Sequence, residues 1–281
     1  IQPSHYPEQY KVIDPDSIVE TYSDKCKTWI ESSDLLILFD IGHHKRARDV
    51  SKIAIDSNID VICIDHHKND NLELFRASFV DIDAPATGLL VWKYLKWKGL
   101  NNSWGINTFN SLYAALVTDT GSFRYNNTTS ESHDMASELL DFGVRPYEIY
   151  VPIYEQRKLS QLRLMSYVIN NLKFNFNNKI CSAVIDSKAL KSTDSQLEDI
   201  DGFTEFLRSI ENVEVSFLIT EQTNNTCRVN FRSKGKYKIN DIASEFGGGG
   251  HKFAAGCKIS NSNVIEIEEK IVNLLKLKMD K

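Results

Sequence analysis

The sequence predicts an α/β protein with a mostly parallel sheet in its first half and a smaller α/β domain in its second half. Three observations support this fold class. Short apolar runs alternate with segments of helical periodicity, several of these runs end in an aspartate, and four consecutive glycines lie near the end of the chain. The chain has 281 residues, more than one hydrophobic core usually holds, which favours two domains.

The first domain is predicted over residues 1–152, where strands alternate with helices. A short β-like segment is expected at residues 10–13, and Asp16 or Ser17 is the expected N-cap of a helix that ends near Ser32. The next predicted elements are a strand at 35–39, a helix at 46–58, a strand at 61–64, a helix at 87–97, an apolar run at 111–117 and a helix at 132–142. This alternation predicts a mostly parallel sheet with helices on both faces.

A charged amphipathic helix over residues 153–171 is predicted to connect the first domain to the second, which spans residues 172–281. The elements predicted for the second domain are strands at 180–185, 213–220 and 227–232 and helices at 197–210, 239–246 and 264–277. The second domain is therefore also expected to be of mixed α/β type.

Composition argues against several functional classes. A formal net charge of −5 does not suit a general electrostatic grip on long nucleic acid, although it allows a locally basic site for a short phosphorylated ligand. No apolar run approaches the roughly 18 residues that span a bilayer, so no membrane partner is expected. Five cysteines without a CxxC spacing fit a reducing cytoplasm.

Three aspartates end three apolar runs, namely Asp40, Asp65 and Asp119, and Asp65 is followed by His66 and His67. If the runs are parallel strands, their ends share one sheet edge and the carboxylates converge. Convergent carboxylates repel each other unless a cation neutralises them, and Asp and His are suitable ligands for Mn²⁺ or Mg²⁺. Two such ions about 3.5–4 Å apart would activate a water for phosphoryl transfer. The alternative, that each aspartate only caps a helix or turn, explains the five residues less well.

The glycine run at residues 247–250, followed by His251, is the second candidate site. Successive backbone N–H groups without Cβ atoms can surround an anion, whereas the plainer alternative is a flexible loop. Arg228, Arg232 and Lys234 lie nearby in the sequence, and arginine suits bidentate phosphate contacts. A phosphate-binding site is therefore predicted in the second domain. Arg124, five residues after Asp119, is a further candidate phosphate contact, with a structural ion pair as the alternative.

These motifs resemble the DHH phosphoesterase superfamily, in particular its DHH–DHHA1 members of the nanoRNase and pAp phosphatase type. The resemblance covers nearly the whole chain. It rests on Asp40, Asp65-His66-His67, residues 119–124, residues 231–233, Gly248-Gly249-Gly250-His251 and residues 254–256, which occur in family order. Family II pyrophosphatases share only the first domain's motif, and RecJ-type exonucleases are usually larger.

The resemblance implies an active site in the cleft between a DHH domain and a DHHA1 domain. It implies that Asp40, His66 and Asp119 bind metal, and that Asp65 is either a further ligand or the group that orients an imidazole. His67, together with Asp65, would be catalytic and would contact the scissile phosphate or the leaving group. The implied substrate-binding residues are Arg124, Arg232, Ser233, Gly249, Gly250 and His251.

The activity implied is hydrolysis of short RNA or DNA oligonucleotides to 5′-mononucleotides and removal of the 3′-phosphate of adenosine 3′,5′-bisphosphate (pAp). Two divalent ions, Mn²⁺ or alternatively Mg²⁺, would be the cofactors. A homodimer is the default expectation for the oligomeric state.

One family motif is not matched. The family's first motif, one histidine and two aspartates after the first strand, should lie upstream of residues 6–10, and no segment there fits it. The sequence is therefore expected to be a piece of a longer protein. The alternative is a degenerate member that binds nucleotides without catalysis. A third hypothesis is a cyclic-dinucleotide phosphodiesterase of the same superfamily.

Overall fold

The chain divides into two units, Ile1–Gln156 and Arg157–Lys281. The computed structural model describes residues 1–3, 6–68, 74–222, 225–260 and 263–280. Both units combine a sheet with helices, so the predicted α/β fold class is confirmed.

The sheet of the first unit contains three parallel strands in the order β1 (Leu35–Phe39), β2 (Asp60–Asp65) and β3 (Ala77–Val80). The first two strands and their parallel pairing were predicted, whereas β3 was not. Because parallel strands end at one edge, the residues that follow β1 and β2 lie close together. This edge positions the candidate site.

The helices of the first unit are α1 (Asp24–Glu31), α2 (Arg48–Asp56), α3 (Thr87–Trp97), α4 (Ile106–Asp119), α5 (Ser130–Asp141) and α6 (Pro146–Tyr154). Helices α1 and α2 form a core cluster against which the partly buried Leu36 packs, on one side of β1. Helices α3 to α6 form a second core with fully buried residues such as Phe109 and Leu116.

One face of β1 is exposed, so the prediction that helices cover both faces of the sheet was wrong for this strand. Leu35, Ile37 and Phe39 are 42–49% exposed, whereas Leu38 between them is 6% exposed. Within the described residues, this edge strand is therefore covered on one face only.

The start of the chain also corrects two predictions. Residues 10–13 belong to a 3₁₀ turn, Glu8–Ile13, and not to a strand. Helix α1 begins at Asp24 because the Asp14 carboxylate accepts hydrogen bonds from the N–H groups of Ile18 and Val19, at 2.8 and 3.0 Å. Such local bonds to aspartate compete with helix formation. Asp16 and Ser17 are therefore not helix caps.

The apolar run before Asp119 is helical, so the prediction that Asp119 ends a strand was wrong. The run lies in α4, whose buried residues Phe109, Leu112, Leu116 and Val117 follow helical spacing. A short apolar run cannot be assigned to a buried strand or a buried helix from periodicity alone. Asp119 is the last residue of this helix.

The sheet of the second unit has six strands in the order β4-β5-β6-β7-β9-β8. The strands are β4 (Lys173–Asn175), β5 (Ile180–Ile185), β6 (Val215–Gln222), β7 (Thr226–Ser233), β8 (Gly249–His251) and β9 (Ala254–Ser260). Strands β5 and β6 are parallel, and the other neighbouring pairs are antiparallel. The successive residues Phe217 and Leu218 belong to different core clusters, which shows that both faces of β6 are covered.

The helices of the second unit are α7 (Leu159–Asn170), α8 (Ser187–Thr193), α9 (Phe203–Ser209), α10 (Asn240–Ser244) and α11 (Val264–Met279). The predicted connector helix over 153–171 is not continuous: α6 ends at Tyr154 and α7 begins at Leu159, after Lys158 in an extended conformation. The predicted helix over 197–210 is interrupted by Gly202, which has φ +80° and separates a 3₁₀ turn from α9. In the described part of the chain, no helix combines the length and the apolar character needed to cross a membrane.

Candidate metal centre and phosphate-binding residues

Asp40 is held at the end of β1 by its backbone and by its carboxylate. Its φ of +58° turns the chain sharply, and its N–H donates to the Ile64 carbonyl oxygen at 3.1 Å. The Thr87 hydroxyl, at the start of α3, donates to Asp40 Oδ1 at 2.7 Å. A non-glycine residue with positive φ is uncommon and often marks a functional position. The carboxylate is therefore fixed and faces the edge of the sheet.

His66 faces two carboxylates through one ring nitrogen. Its Nε2 lies 3.4 Å from Asp40 Oδ1 and 3.7 Å from Asp119 Oδ2. Its Nδ1 lies 3.1 Å from the Ala84 carbonyl oxygen. Because a carbonyl oxygen only accepts, Nδ1 carries the proton, and in a neutral ring Nε2 presents its lone pair to the carboxylates. A cation between these three groups would satisfy all of them.

Asp65 fixes the second imidazole. It is fully buried, and its Oδ1 accepts from the N–H groups of His66 and His67 at 2.7 and 2.9 Å and lies 2.7 Å from His67 Nδ1. Its Oδ2 accepts from the Gly42 N–H at 2.6 Å. Burial alone would raise the pKa of Asp65, but hydrogen bonds from His67 and Gly42 outweigh it and hold the pKa far below its usual range.

The same hydrogen bond from His67 to Asp65 raises the pKa of His67 despite the partial burial of the ring. Because Asp65 orients the ring through Nδ1, Nε2 is the ring nitrogen that points away from Asp65, as in histidines that bind a metal or a substrate. His67 Nδ1 is also 3.7 Å from Asp40 Oδ1. The bonding of Asp65 therefore favours an orienting role for it, the second of the two roles predicted.

Gly42 allows this arrangement because it lacks a side chain. Its φ is +64°, and a Cβ atom there would lie 3.3 Å from His67 Cβ and 3.2 Å from Arg46 Nη1. A larger residue at position 42 would therefore push on both the imidazole and the arginine.

Asp119, at the end of α4, places its carboxylate beside His66. Burial and the neighbouring Asp40 carboxylate raise the pKa of Asp119 to about 6, although His66 and His67 oppose the shift. Two carboxylates that disfavour each other's charge are typical of a site that binds a cation.

Among the described residues, Asp40, His66 and His67 form a group whose donor atoms lie within 4.8 Å of one another. Carboxylate oxygens and imidazole nitrogens in this number suit Mn²⁺ and related divalent ions. Both imidazoles have Nδ1 held by protein oxygen, which is the usual second contact of metal-binding histidines. The residues present therefore fit a divalent metal.

The predicted phosphate-binding residues of the second unit lie on β7 and on the β8–β9 hairpin. Arg232, near the end of β7, donates from Nε to Glu205 Oε1 at 2.6 Å and from Nη1 to the Phe231 carbonyl oxygen at 2.9 Å. Ser233 is buried, and its Oγ accepts from the Gly235 N–H at 3.2 Å. Arg232 is 28% exposed at its side chain, so part of its guanidinium can reach a ligand.

Half of the glycine run belongs to a strand. Gly249, Gly250 and His251 form strand β8, which pairs with β9 in the register Gly250 to Ala255. Gly250 has φ +137°, and a Cβ atom there would lie 2.6 Å from the Ala254 carbonyl oxygen. Gly250 thus allows a close approach of two strands.

We expect Gly250→Ala to lower the melting temperature of the protein by several °C, because the new methyl group meets backbone atoms and the φ is strained for alanine. Thermal denaturation followed by circular dichroism measures this effect. Gly249→Ala is the matched control, since no atom lies within 4 Å of the position its Cβ would occupy. Equal melting temperatures for both variants would contradict the role of Gly250.

Arg124 lies in the turn that follows Asp119. Its Nε donates to the Gly121 carbonyl oxygen at 2.7 Å. Gly121, Ser122 and Phe123 all have φ between +55° and +64°, so three successive residues are left-handed. This turn brings Arg124 back toward the end of α4, where its N–H donates to the Thr120 carbonyl oxygen at 3.0 Å.

Several supporting residues escaped prediction. Thr87 lies 47 residues from Asp40, and Ala84 lies 18 residues from His66. Asn127 is close in sequence to Asp119 but also contacts Pro85, 42 residues away. Arg46 near His67 was not singled out, although the run of basic residues after Asp40 is visible in the sequence. For Gly42, the sequence offered one signal of its role, namely its position two residues after the aspartate that follows β1.

Asn127 connects two parts of this site, because its Nδ2 donates to the carbonyl oxygens of Pro85 and Asp119 at 3.0 and 3.1 Å. We expect Asn127→Asp to lower the free energy of unfolding by about 1–3 kcal/mol, since a carboxylate would face two carbonyl oxygens. Urea denaturation with a chelator present measures this change. Asn126→Asp, at an exposed neighbouring position, is the control; a similar loss in both variants would contradict the proposed connection.

The fold and this site define a two-unit α/β protein with an aspartate–histidine cluster, suited to a divalent metal, at the edge of a parallel sheet. Family models agree: the DHH family, N-terminal domain, matches residues 7–118, and the DHHA1 domain matches residues 164–278. The chain therefore belongs to the DHH family with a DHHA1 domain, as the resemblance predicted.

Two relatives carry the name bifunctional oligoribonuclease and PAP phosphatase NrnA. The Thermus thermophilus protein is 30% identical over 77% of this chain and 64% of its own length. The Bacillus subtilis protein is 28% identical over 80% of this chain and 70% of its own length. The match to the first thus spans slightly less than two thirds of that relative.

A crystal structure of an exopolyphosphatase-related protein from Bacteroides fragilis has the same fold. Its TM-score is 0.91 at 26% identity, and the match covers all of this chain and 84% of that one. The agreement extends over both units of the chain.

Proposed function

We propose that this protein is a metal-dependent phosphoesterase that hydrolyses short oligonucleotides to 5′-mononucleotides and removes the 3′-phosphate of pAp. The observation that carries the proposal is the convergence of His66 Nε2 with the carboxylates of Asp40 and Asp119, with both imidazoles oriented by protein oxygens. The names of the two NrnA relatives support the choice of substrates.

In this proposal Asp40, His66 and Asp119 hold divalent metal, with Mn²⁺ preferred and Mg²⁺ as the alternative. When bound, such ions supply Lewis-acid stabilisation of phosphoryl oxygens and an activated water. Asp65 orients His67, whose Nε2 contacts the scissile phosphate or donates a proton to the leaving oxygen. The raised pKa of His67 suits a proton donor near neutral pH.

The second unit contributes the specificity in this proposal. Arg232 and His251, with Ser233, Gly249 and Gly250 beside them, hold the phosphate of the nucleotide, and Arg124 of the first unit is a further phosphate contact. Glu205 and the Phe231 carbonyl oxygen fix the Arg232 guanidinium before substrate binds. Homodimer formation and a cytoplasmic location stay predictions from the sequence.

The direct test is incubation of the protein with Mn²⁺ and one of three substrates, followed by chromatography of the products. We expect pAp to yield AMP and phosphate, a 5′-phosphorylated RNA dinucleotide to yield mononucleotides, and cyclic di-AMP to remain intact. Binding of pAp without hydrolysis would favour a silent nucleotide binder instead. Cleavage of the cyclic substrate in preference to the linear ones would favour a cyclic-dinucleotide phosphodiesterase.

A further inference from the structure

A polar cavity in the second unit has no role in the site described above, although Arg232 and its partner Glu205 are among the residues that line it. Its volume is about 270 Å³, and it lies between the 3₁₀ turn Leu197–Ile200, the start of α9 and strands β6 and β7. Arg228, Asn230 and Arg232 line it from alternate positions of β7, whereas Val229 and Phe231 between them are buried in the core on the other face. The sheet therefore presents a row of polar side chains to the cavity.

Three neighbouring strands place polar or cationic side chains side by side at one end of this surface. Thr220 of β6 pairs with Arg228 of β7, and Arg228 pairs with Lys258 of β9. Residues paired in register point to the same face of a sheet. A hydroxyl, a guanidinium and an ammonium group thus form one line across the sheet, which we call the Thr220–Arg228–Lys258 row.

The hydroxyl in this row is buried, and the described residues give it no hydrogen-bond partner. Thr220 is 3% exposed, and among the described residues its Oγ1 makes no hydrogen bond. A buried polar group in this condition usually lowers the stability of the folded protein. The hydroxyl lines the cavity, so a ligand there could satisfy it.

Among the described residues, the two cations in the row have no carboxylate paired with them. Like charges directly across a strand pair are destabilising. The structure shows an Arg228 Nε bond to Asn230 Oδ1 at 3.2 Å, and in the described part of the chain neither Arg228 nor Lys258 forms an ion pair with a carboxylate. An anion bound at the row would remove the repulsion and use the Thr220 hydroxyl.

The opposite side of the cavity is acidic. Glu198, Asp201 and Glu205 line it, and Glu205 is paired with Arg232. These carboxylates would repel a small free anion there, but they can accept hydrogen bonds from the amino groups of a nucleobase. A ligand with an anionic group at one end and a polar base at the other therefore fits the cavity better than phosphate alone.

Arg228 and Arg232 are four residues apart on one strand, which corresponds to roughly 13 Å. Arg232 is already fixed by Glu205 and by the Phe231 carbonyl oxygen. We propose that the Thr220–Arg228–Lys258 row binds a backbone phosphate of an oligonucleotide, beyond the nucleotide whose phosphate Arg232 holds. This inference rests on the proposed function and adds a preference for substrates of three or more nucleotides.

The test is calorimetric binding to the intact protein with a chelator present, so that metal-dependent hydrolysis does not consume the ligand. The probes are pAp and 5′-phosphorylated RNA of two, three and four nucleotides. We expect Arg228→Gln to weaken binding of the tri- and tetranucleotide by about tenfold and to leave pAp binding within twofold. Arg163→Gln, an exposed arginine on α7, is the matched control and should change neither.

Salt dependence identifies the contact as a phosphate contact. Loss of one phosphate contact should lower the slope of log affinity against log salt by about 0.7 for a single strand. A length-independent loss of affinity, no loss, or an unchanged slope in Arg228→Gln would overturn the proposal. Inorganic phosphate serves as a competitor. We expect it to displace the trinucleotide only at concentrations far above that of the trinucleotide. Displacement by phosphate and by trinucleotide at equal concentrations would overturn the oligonucleotide assignment.

Thr220→Val separates binding from folding. We expect it to keep or raise the melting temperature, because it removes an unsatisfied hydroxyl, while it weakens trinucleotide binding several-fold. Unchanged trinucleotide affinity in this variant would contradict the role of the row. Hydrolysis of pAp with Mn²⁺, measured in parallel, tests the proposed function by itself. If pAp is not hydrolysed but Arg228→Gln still loses affinity for the longer oligonucleotides only, the proposed activity is refuted and the proposed binding role of the row stands.

Discussion

Asp119→Asn should lower turnover of pAp by a factor on the order of 10³ or more, while the protein stays folded. Metal ions contribute several kcal/mol of transition-state stabilisation in phosphoryl transfer, and each 1.36 kcal/mol corresponds to tenfold in rate. Asp119 Oδ2 is one of two carboxylate oxygens that face His66 Nε2, so its loss removes one side of the proposed metal site. Steady-state kinetics with Mn²⁺ measure the effect.

The fold should tolerate this change because asparagine has the same shape and removes a carboxylate that burial and Asp40 disfavour. We therefore expect the melting temperature without metal to be unchanged or higher. Asp141→Asn is the matched control, because it replaces an exposed aspartate at the end of another helix, α5. Turnover of Asp119→Asn within tenfold of the unchanged protein would contradict its assignment as a metal ligand.

Asp65→Asn should have the largest effect on stability, a loss on the order of 3 kcal/mol or more in the free energy of unfolding. Asp65 accepts three backbone N–H groups and the His67 Nδ1 proton, and either orientation of an amide would place N–H groups against some of these donors. Urea denaturation at pH 7 measures the loss. Asp60→Asn, at the start of the same strand, should cost at most about 1 kcal/mol, since its ion pair with Arg76 is exposed.

The stabilisation by Asp65 should depend on pH in a defined direction. Its pKa in the folded protein lies below the unfolded value of about 3.9, so the ionised carboxylate stabilises the fold above that pH. The contribution is lost as the pH falls further. The difference in unfolding free energy between the unchanged protein and Asp65→Asn should therefore shrink below about pH 4, and a difference that grows there would contradict the assigned hydrogen bonds.

The sequence predicted the parts of the site that depend on local pattern. Asp40 and the Asp65-His66-His67 segment follow apolar runs that form parallel strands, and this pattern is visible without a structure. Asp119 was predicted as a site residue for the wrong reason, because its apolar run is a helix that reaches the same edge. Asp40 and Asp119 nevertheless both lie near His66 Nε2, even though the element that carries Asp119 is not a strand.

The rest could not be predicted because it depends on contacts between distant residues. The Thr87 hydroxyl donates a hydrogen bond to Asp40, 47 residues earlier in the sequence. The Ala84 carbonyl oxygen, in the segment after β3, lies within hydrogen-bond distance of His66 Nδ1. Strand β8 is formed by glycines, which disfavour strands unless two backbones must approach closely. The break between α6 and α7 has no glycine in residues 155–158 to reveal it.

The measurement that tests the central claim most directly is hydrolysis of pAp by the chelator-treated protein as Mn²⁺ is added back. We predict no turnover without metal, a saturable rise with Mn²⁺, and no such rise when Asp40 or His66 is replaced by alanine. Turnover that persists in the presence of chelator, or that Mn²⁺ restores equally in the Asp40→Ala and His66→Ala variants, would contradict a metal-dependent phosphoesterase centred on these residues.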